Sequence, residues 1–248
     1  MLLIVGVGVL LLGIVALGIG LFEKMKAGRV SGAPLVRTGD AAQRGAQVAA
    51  SNGAISVQGS VFCQQPLSSP VTRTGCLHYS ISAEARWKEG DQERSQTLAG
   101  IQQTAHFAVD DGSGPVWIDA TRGGDFETTS YSEIKEPGMF TSELVFGDYR
   151  ISTSSVPSGA RFEVRETVLP LVPQLYACGV TATHSIAAPE WRSLILSTKS
   201  RDELLGSATQ TAKVCLIGGI AALAVGAAVA LAGAFQAGLL TRASHLHL

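Results

Sequence analysis

Charge is scarce in this chain, and its two signs nearly cancel. Asp, Glu, Lys and Arg make up 16% of the 248 residues, with a formal net charge of −1. No basic excess exists to hold a phosphate backbone, so no nucleic-acid partner is expected. Cysteine is scarce too: Cys63, Cys76, Cys178 and Cys215 are all there are, and no C-x-x-C occurs. Cys215 lies in an apolar run, which leaves an odd three elsewhere, so the set is no disulfide framework. Spacing leaves a Cys63–Cys76 bridge open. H-E-x-x-H, G-x-S-x-G and phosphate-loop patterns are missing as well. We therefore expect no catalytic residue set, no cofactor and no metal site. An enzyme would have to gather its groups from distant strands, for example Asp110, Asp119, His106 or Cys76.

Charge is most conspicuously absent from the two ends. Met1 to Phe22 carries no charged side chain, and Val214 to Leu240 carries none either. At about 1.5 Å rise per residue, either run can cross a hydrocarbon core of roughly 30 Å as a helix. The first run has no basic segment before it and is too long for the core of a signal peptide, so it reads as a retained anchor. Two spans put both termini on one side of a membrane and the middle on the other. Lys24, Lys26, Arg29, Arg37, Lys199, Arg201 and Lys213 all lie on the inner side of the runs, against Arg242 outside. That bias places the middle in the cytoplasm if the membrane is a plasma membrane.

Glycines in the runs suggest a packing use. Gly6, Gly13 and Gly20 recur every seven residues on the first; Gly218, Ala222 and Gly226 recur every four on the second. Each set predicts a face on which helices approach closely, against each other or against a partner span in a homo- or hetero-oligomer.

Between the runs the texture is that of strands. Met25 to Ala54 is polar and weakly patterned, with a short helix predicted over Ala41 to Ala50, capped by Asp40 and facing Val48 inward. Period-two alternation predicts strands at Ala54–Val61, Cys76–Trp87, Thr97–Gln103, Leu144–Ile151, Arg161–Val168, Leu175–His184 and Leu194–Ser197. The clearest hairpin runs from His106 to Ala120, turning at Asp110-Asp111-Gly112-Ser113-Gly114. Asp110, Asp111, Asp119 and Asp125 lack the spacing of a calcium loop and read as turn residues. His78, His106 and His184 read as sheet residues, and His245-Leu246-His247 as a tail. Trp87, Trp117 and Trp191 read as apolar anchors, Trp191 as the one suited to a membrane interface. Ser200-Arg201-Asp202-Glu203 is a capping-box pattern that starts a helix.

The expected class is a β-rich α+β membrane protein: a compact antiparallel barrel or sandwich-like domain flanked by two transmembrane helices. The predicted organisation is a span at 1–22, a linker with a short helix at 23–53, the β-rich domain at 54–199, a juxtamembrane helix at 200–213, a span at 214–240 and a tail at 241–248.

In this order the pieces resemble the MULAN/GIDE ubiquitin-ligase family, whose "beside a membrane" (BAM) domain is held between two spans. The resemblance rests on Gly59-Ser60-Val61, Pro66-Leu67-Ser68-Ser69, Cys76-Leu77-His78-Tyr79, Phe107 to Asp110 and Gly114, Gly159 to Val164, and Leu194–Ser197 with Asp202-Glu203-Leu204-Leu205. It implies a recognition or scaffold domain for a protein or lipid partner at the membrane surface. The alternative is an accessory subunit of a larger membrane complex, held by its spans. Eukaryotic members of that family continue into a RING, which needs mostly cysteine ligands for two zinc ions. No cysteine follows Cys215, so no ligase site is carried over and a non-enzyme is expected. The resemblance also implies an organelle envelope if the cell is eukaryotic.

Overall fold

The computed structural model describes residues 1–138, 141–190 and 192–236. The chain divides into two units, one made of 1–32 with the segment from Arg201 onward, the other of Ala33–Ser200.

The first unit is a helical hairpin of α1 (Leu2–Gly32) and a second helix, Arg201–Gln236, which is α3 in chain order. Both are long and apolar enough to cross a membrane. α1 does not stop at Phe22 but runs ten residues further. Ala27 and the straight-chain Lys24, Met25 and Lys26 favour helix, and the first hard stop is Pro34, which disfavours helix at the residue before it. Arg201 closes this end: its Nη2 donates to the carbonyls of Val30 and Ser31, 3.4 Å away, which α1 itself leaves without partners.

The helices run antiparallel along a seam of glycine. A Cβ on Gly226 would come within 2.8 Å of the Leu10 nitrogen, and one on Gly13 within 3.0 Å of the Leu223 nitrogen. Gly6 abuts Ala230 in the same way, Gly20 abuts Leu216, and Gly233 abuts Leu3. The seam of the second helix is Ala212, Gly219, Gly226 and Gly233, all buried. Of the four-residue set only Gly226 meets α1: Gly218 points to open space, and Ala222 is only half-buried. The reason is angular. Four residues advance a helix face by about 40°, seven by only about −20°, so only a seven-residue repeat stays opposite Gly6, Gly13 and Gly20.

The second unit begins with α2 (Thr38–Val48), followed by β1 (Ala54–Cys63), β2 (Leu67–Ser68), β3 (Gly75–Glu89) and β4 (Gln92–Thr104). Then come β5 (Phe107–Asp110), β6 (Val116–Asp119), β7 (Gly124–Phe126), β8 (Thr129–Lys135), β9 (Glu143–Phe146) and β10 (Tyr149–Ser152). β11 (Arg161–Pro170), β12 (Gln174–Ala182), β13 (Ser185–Ala187) and β14 (Leu194–Ser197) complete it.

Five strands close a barrel in the order β1-β5-β6-β13-β12, because β12 pairs back onto β1 from Val180↔Ala54 to Gln174↔Ser60. β14 and β7 extend β12 on its other side. Inward residues alternate along each strand. Val57, Phe107, Val109, Val116, Ile118, Leu175, Ala177 and Ile186 fill the barrel, and Ala41 of α2 packs against it. Beside it lies an antiparallel sheet, β8-β11-β3-β4, whose one face is covered by the β9–β10 hairpin. Its core is Tyr79, Ile81, Ala83, Phe146, Tyr149, Phe162 and Val164. One bulge lets β3 serve both cores. Leu169 pairs with His78 and Pro170 with Cys76, leaving Leu77 extra and turning it toward the barrel while Cys76 faces the sheet core.

Three expectations change. Leu144–Ile151 is two strands, because Gly147 at φ +60° turns the chain between them. Leu175–His184 ends at Ala182, with Thr183-His184 forming the turn into β13. The short helix starts at Thr38, ahead of Asp40, and its cap comes from elsewhere. Arg37, at φ −67° and ψ 144°, makes no side-chain cap bond. Instead the Thr38 amide donates to Asp111 (3.3 Å) and the Gly39 amide to Ser113 Oγ (2.9 Å), both in the β5–β6 turn.

Candidate functional site

β6 places its side chains by simple alternation. Val116 and Ile118 point into the barrel, 0% and 4% exposed, so Trp117 and Asp119 point outward and are half-buried. The connection from β4 to β5 runs alongside, held where the Ala105 amide donates to the Leu77 carbonyl at 2.7 Å. That fixes His106, whose ring stacks on Trp117 with centroids 4.0 Å apart and planes 22° apart. On the other side β13 runs parallel to β6, pairing Ser185 with Trp117, so the Thr183-His184 turn stands at the same level.

These pieces form a groove of about 370 Å³, lined among others by His106, Trp117, Asp119, Thr121, Thr183 and His184. His184 holds a φ of +55°. Glycine or asparagine adopts that conformation at lower cost. Its Nδ1 lies 3.0 Å from the Ala42 carbonyl of α2. A carbonyl only accepts, so Nδ1 carries the hydrogen, and in the neutral ring Nε2 is left as an acceptor. Asp119 Oδ1 accepts from the Thr121 hydroxyl (2.6 Å) and amide (3.1 Å). The Thr121 hydroxyl and amide together hold the Asp119 carboxyl below its ordinary range against the effect of burial, with help from the charge of Arg122. The Arg122 guanidinium itself donates to the Glu190 carbonyl.

The other candidate groups lie apart from this groove. Asp110 and Asp111 line a different, polar concavity with Arg37 and Gln58, and their carboxylates hold the hairpin turn. Asp110 Oδ1 accepts from the amides of Gly112 and Gly114, the latter at φ +122°. A Cβ on Gly59 would come within 2.5 Å of the Asp110 backbone, so β1 passes this turn at a distance that only glycine permits. Burial pushes Asp111 up, but the hydroxyls and amides of Ser113 and Thr38 outweigh it and hold the group at about 2.

Cys76 is fully buried in the sheet core, and burial, then the charge of Glu166, pushes its thiol up to about 11. A thiol so placed is no nucleophile. No disulfide joins the four cysteines. Tyr79, three residues on, donates from its hydroxyl to Gln103 at 2.8 Å. His78 is buried, bonded to Thr104 Oγ1 and edge-on to Phe126. Phe107 is a barrel core residue, and Gly159 at φ +84° makes the turn before β11. Trp87 packs on the sheet core. Trp191, the C-terminal part of the second run from 237 and the 241–248 tail lie outside the described residues. Among the described residues no three His, Cys, Asp or Glu side chains converge as metal ligands.

The fold thus unites four residues that the sequence singled out for other reasons, His106, Trp117, Asp119 and His184. Alternation along β6, with Val116 and Ile118 turned inward, is a local signal that could have found Trp117-x-Asp119 as an outward pair. The parallel partner β13 and the strained turn are non-local, and no short-range signal marks them.

Neither a curated protein nor a solved structure matches the chain. One family model does, that of the GIDE family, described as E3 ubiquitin ligase, over residues 78–232. The matched stretch begins at β3, includes the walls of the groove and ends within the second long helix, well over half of the chain. The chain belongs to the GIDE family.

Proposed function

We propose that this protein is a two-pass membrane protein whose β-unit is a recognition module, with the groove on β6 and β13 as the surface that meets a protein partner beside the membrane. The observation that carries the reading is the groove itself. Stacked aromatic rings, a carboxylate and a histidine in an unfavourable backbone conformation are gathered where the barrel needs none of them for its core. Residues held at a conformational cost concentrate at functional sites. The ligase activity in the family's description would then draw on this stretch for choosing and placing a partner, and the chemistry would come from elsewhere. The excess of Lys and Arg on the inner flanks of the two runs favours a cytoplasmic β-unit.

The test is co-purification. Full-length protein is extracted from its native membrane in mild detergent, and what co-migrates in stoichiometric amount is identified for the parent and for Trp117→Ala. A partner present with the parent and lost with Trp117→Ala supports the reading. A partner retained by Trp117→Ala at full occupancy removes the groove from it.

A second reading, an accessory subunit held by its spans, is favoured by one feature. The face of the Arg201–Gln236 helix turned away from α1 exposes small residues, Gly218, Ala221, Ala228 and Ala232. A complex that survives Trp117→Ala but dissociates with Gly218→Leu selects that reading.

A further inference from the structure

We propose that the groove receives an arginine side chain from the partner protein. The inference rests on the groove being the recognition surface and adds what it recognises. Its walls offer acceptors and aromatic faces but no Lys or Arg. Asp119 Oδ1 is engaged by Thr121, which orients the carboxylate and leaves Oδ2 for a charge-assisted hydrogen bond. Arg122, the nearest cation in sequence, bonds the Glu190 carbonyl and is not among the groove walls. An anionic ligand would face Asp119 with only the charge of Arg122, outside the groove walls, to offset it, and a wholly apolar one would cover Oδ2 without giving it a donor.

Geometry separates arginine from lysine. Trp117 and Asp119 are two residues apart on one face of a strand, about 7 Å between their Cα atoms. A guanidinium can lie flat against the paired rings of His106 and Trp117 and still reach the carboxylate through its fork. A lysine ammonium presents no plane to stack. The Thr183 hydroxyl and His184 Nε2, an acceptor in the neutral ring, line the same groove and add acceptors to it.

Saturation-transfer NMR on the full-length protein in lipid nanodiscs tests this with three probes: N-acetyl-arginine amide, N-acetyl-lysine amide and N-acetyl-citrulline amide. Citrulline keeps the planar shape and lacks the charge. The expected result is binding of the arginine probe at least tenfold tighter than citrulline and severalfold tighter than lysine. The Asp119→Asn variant should reduce the arginine probe to the citrulline level while its thermal unfolding stays within a few degrees of the parent. Equal binding of arginine and citrulline, no binding of any probe, or an arginine affinity unchanged in Asp119→Asn each overturns the inference. The recognition reading fails separately, when Trp117→Ala keeps its partner. A partner lost with Trp117→Ala, alongside silent arginine probes, refutes the arginine and leaves the groove.

Discussion

Two carboxylates of the β-unit, Glu166 and Asp119, sit on strands among hydroxyl neighbours, yet the fold uses them in opposite ways. Glu166 on β11 is 0% exposed. Its oxygens accept from Ser69 Oγ (3.1 Å), the Val71 amide (2.8 Å), the Thr72 amide (3.0 Å) and Thr72 Oγ1 (2.5 Å). Those bonds pin the 69–74 loop, and the Thr74 amide donates to Ser69 Oγ at 3.1 Å as well. Asp119 on β6 is half-buried and accepts from one residue, Thr121. The first carboxylate is consumed in building the sheet, and the second keeps capacity in reserve. A polar group near a core serves the fold when its partners lie within it; the capacity left on Asp119 is what the proposed recognition would draw on.

The contrast can be broken most forcefully at Glu166. Glu166→Gln turns an acceptor-only group into one that also donates, facing four donors. Removing a buried charge acceptor of this kind should cost about 3 kcal/mol or more, read as a drop in Tm of the full-length protein. A loss below about 1 kcal/mol would mean that the loop finds other partners. Asp111 is the intermediate case. It accepts four bonds from Thr38 and Ser113 but is exposed. Asp111→Ala should cost about 1 kcal/mol through the lost cap of α2. Because the folded-state value is depressed to about 2 from 3.8, the stabilisation is complete above about pH 4 and is lost as pH falls toward 2. Glu127 shares the sign. Burial pushes it up, but Ser197, Lys199 and Thr198 outweigh that and hold it at about 2. An acid titration of stability should therefore be shallower between pH 4 and 2 in Asp111→Ala than in the parent. The smallest stability change belongs to Asp119→Asn, within about 0.5 kcal/mol, since among the described residues its hydrogen bonds come from one exposed turn residue, Thr121. The comparison sharpens if that variant unfolds with the parent yet loses its ligand.

What the sequence made legible was periodic. Uncharged runs announced the two long helices, alternation announced most strands, and the turn at Asp110–Gly114 was written in its glycines and aspartates. Interruptions that depend on a single residue were harder. Gly147 splits what alternation alone read as one strand from Leu144 to Ile151. On the second long helix the seam that meets α1 runs through Gly219, Gly226 and Gly233, and of the four-residue set it shares Gly226 alone, because the partner sets the repeat. The cap of α2 came from residues more than seventy positions away, at Asp111 and Ser113. The groove was the least legible part: β4–β5, β6 and β13 meet only after the barrel closes, and nothing near Thr183-His184 in sequence foretells a parallel neighbour.

The glycine seam of the helical hairpin also makes its length come in fixed increments. One residue added to α1 alone would swing every glycine beyond the insertion by about 100° off its partner. Seven added to α1 and seven to the second helix at the matching level would restore the contact one repeat longer. Any change in how far this hairpin reaches, in evolution or by design, is thus restricted to steps of about 10 Å.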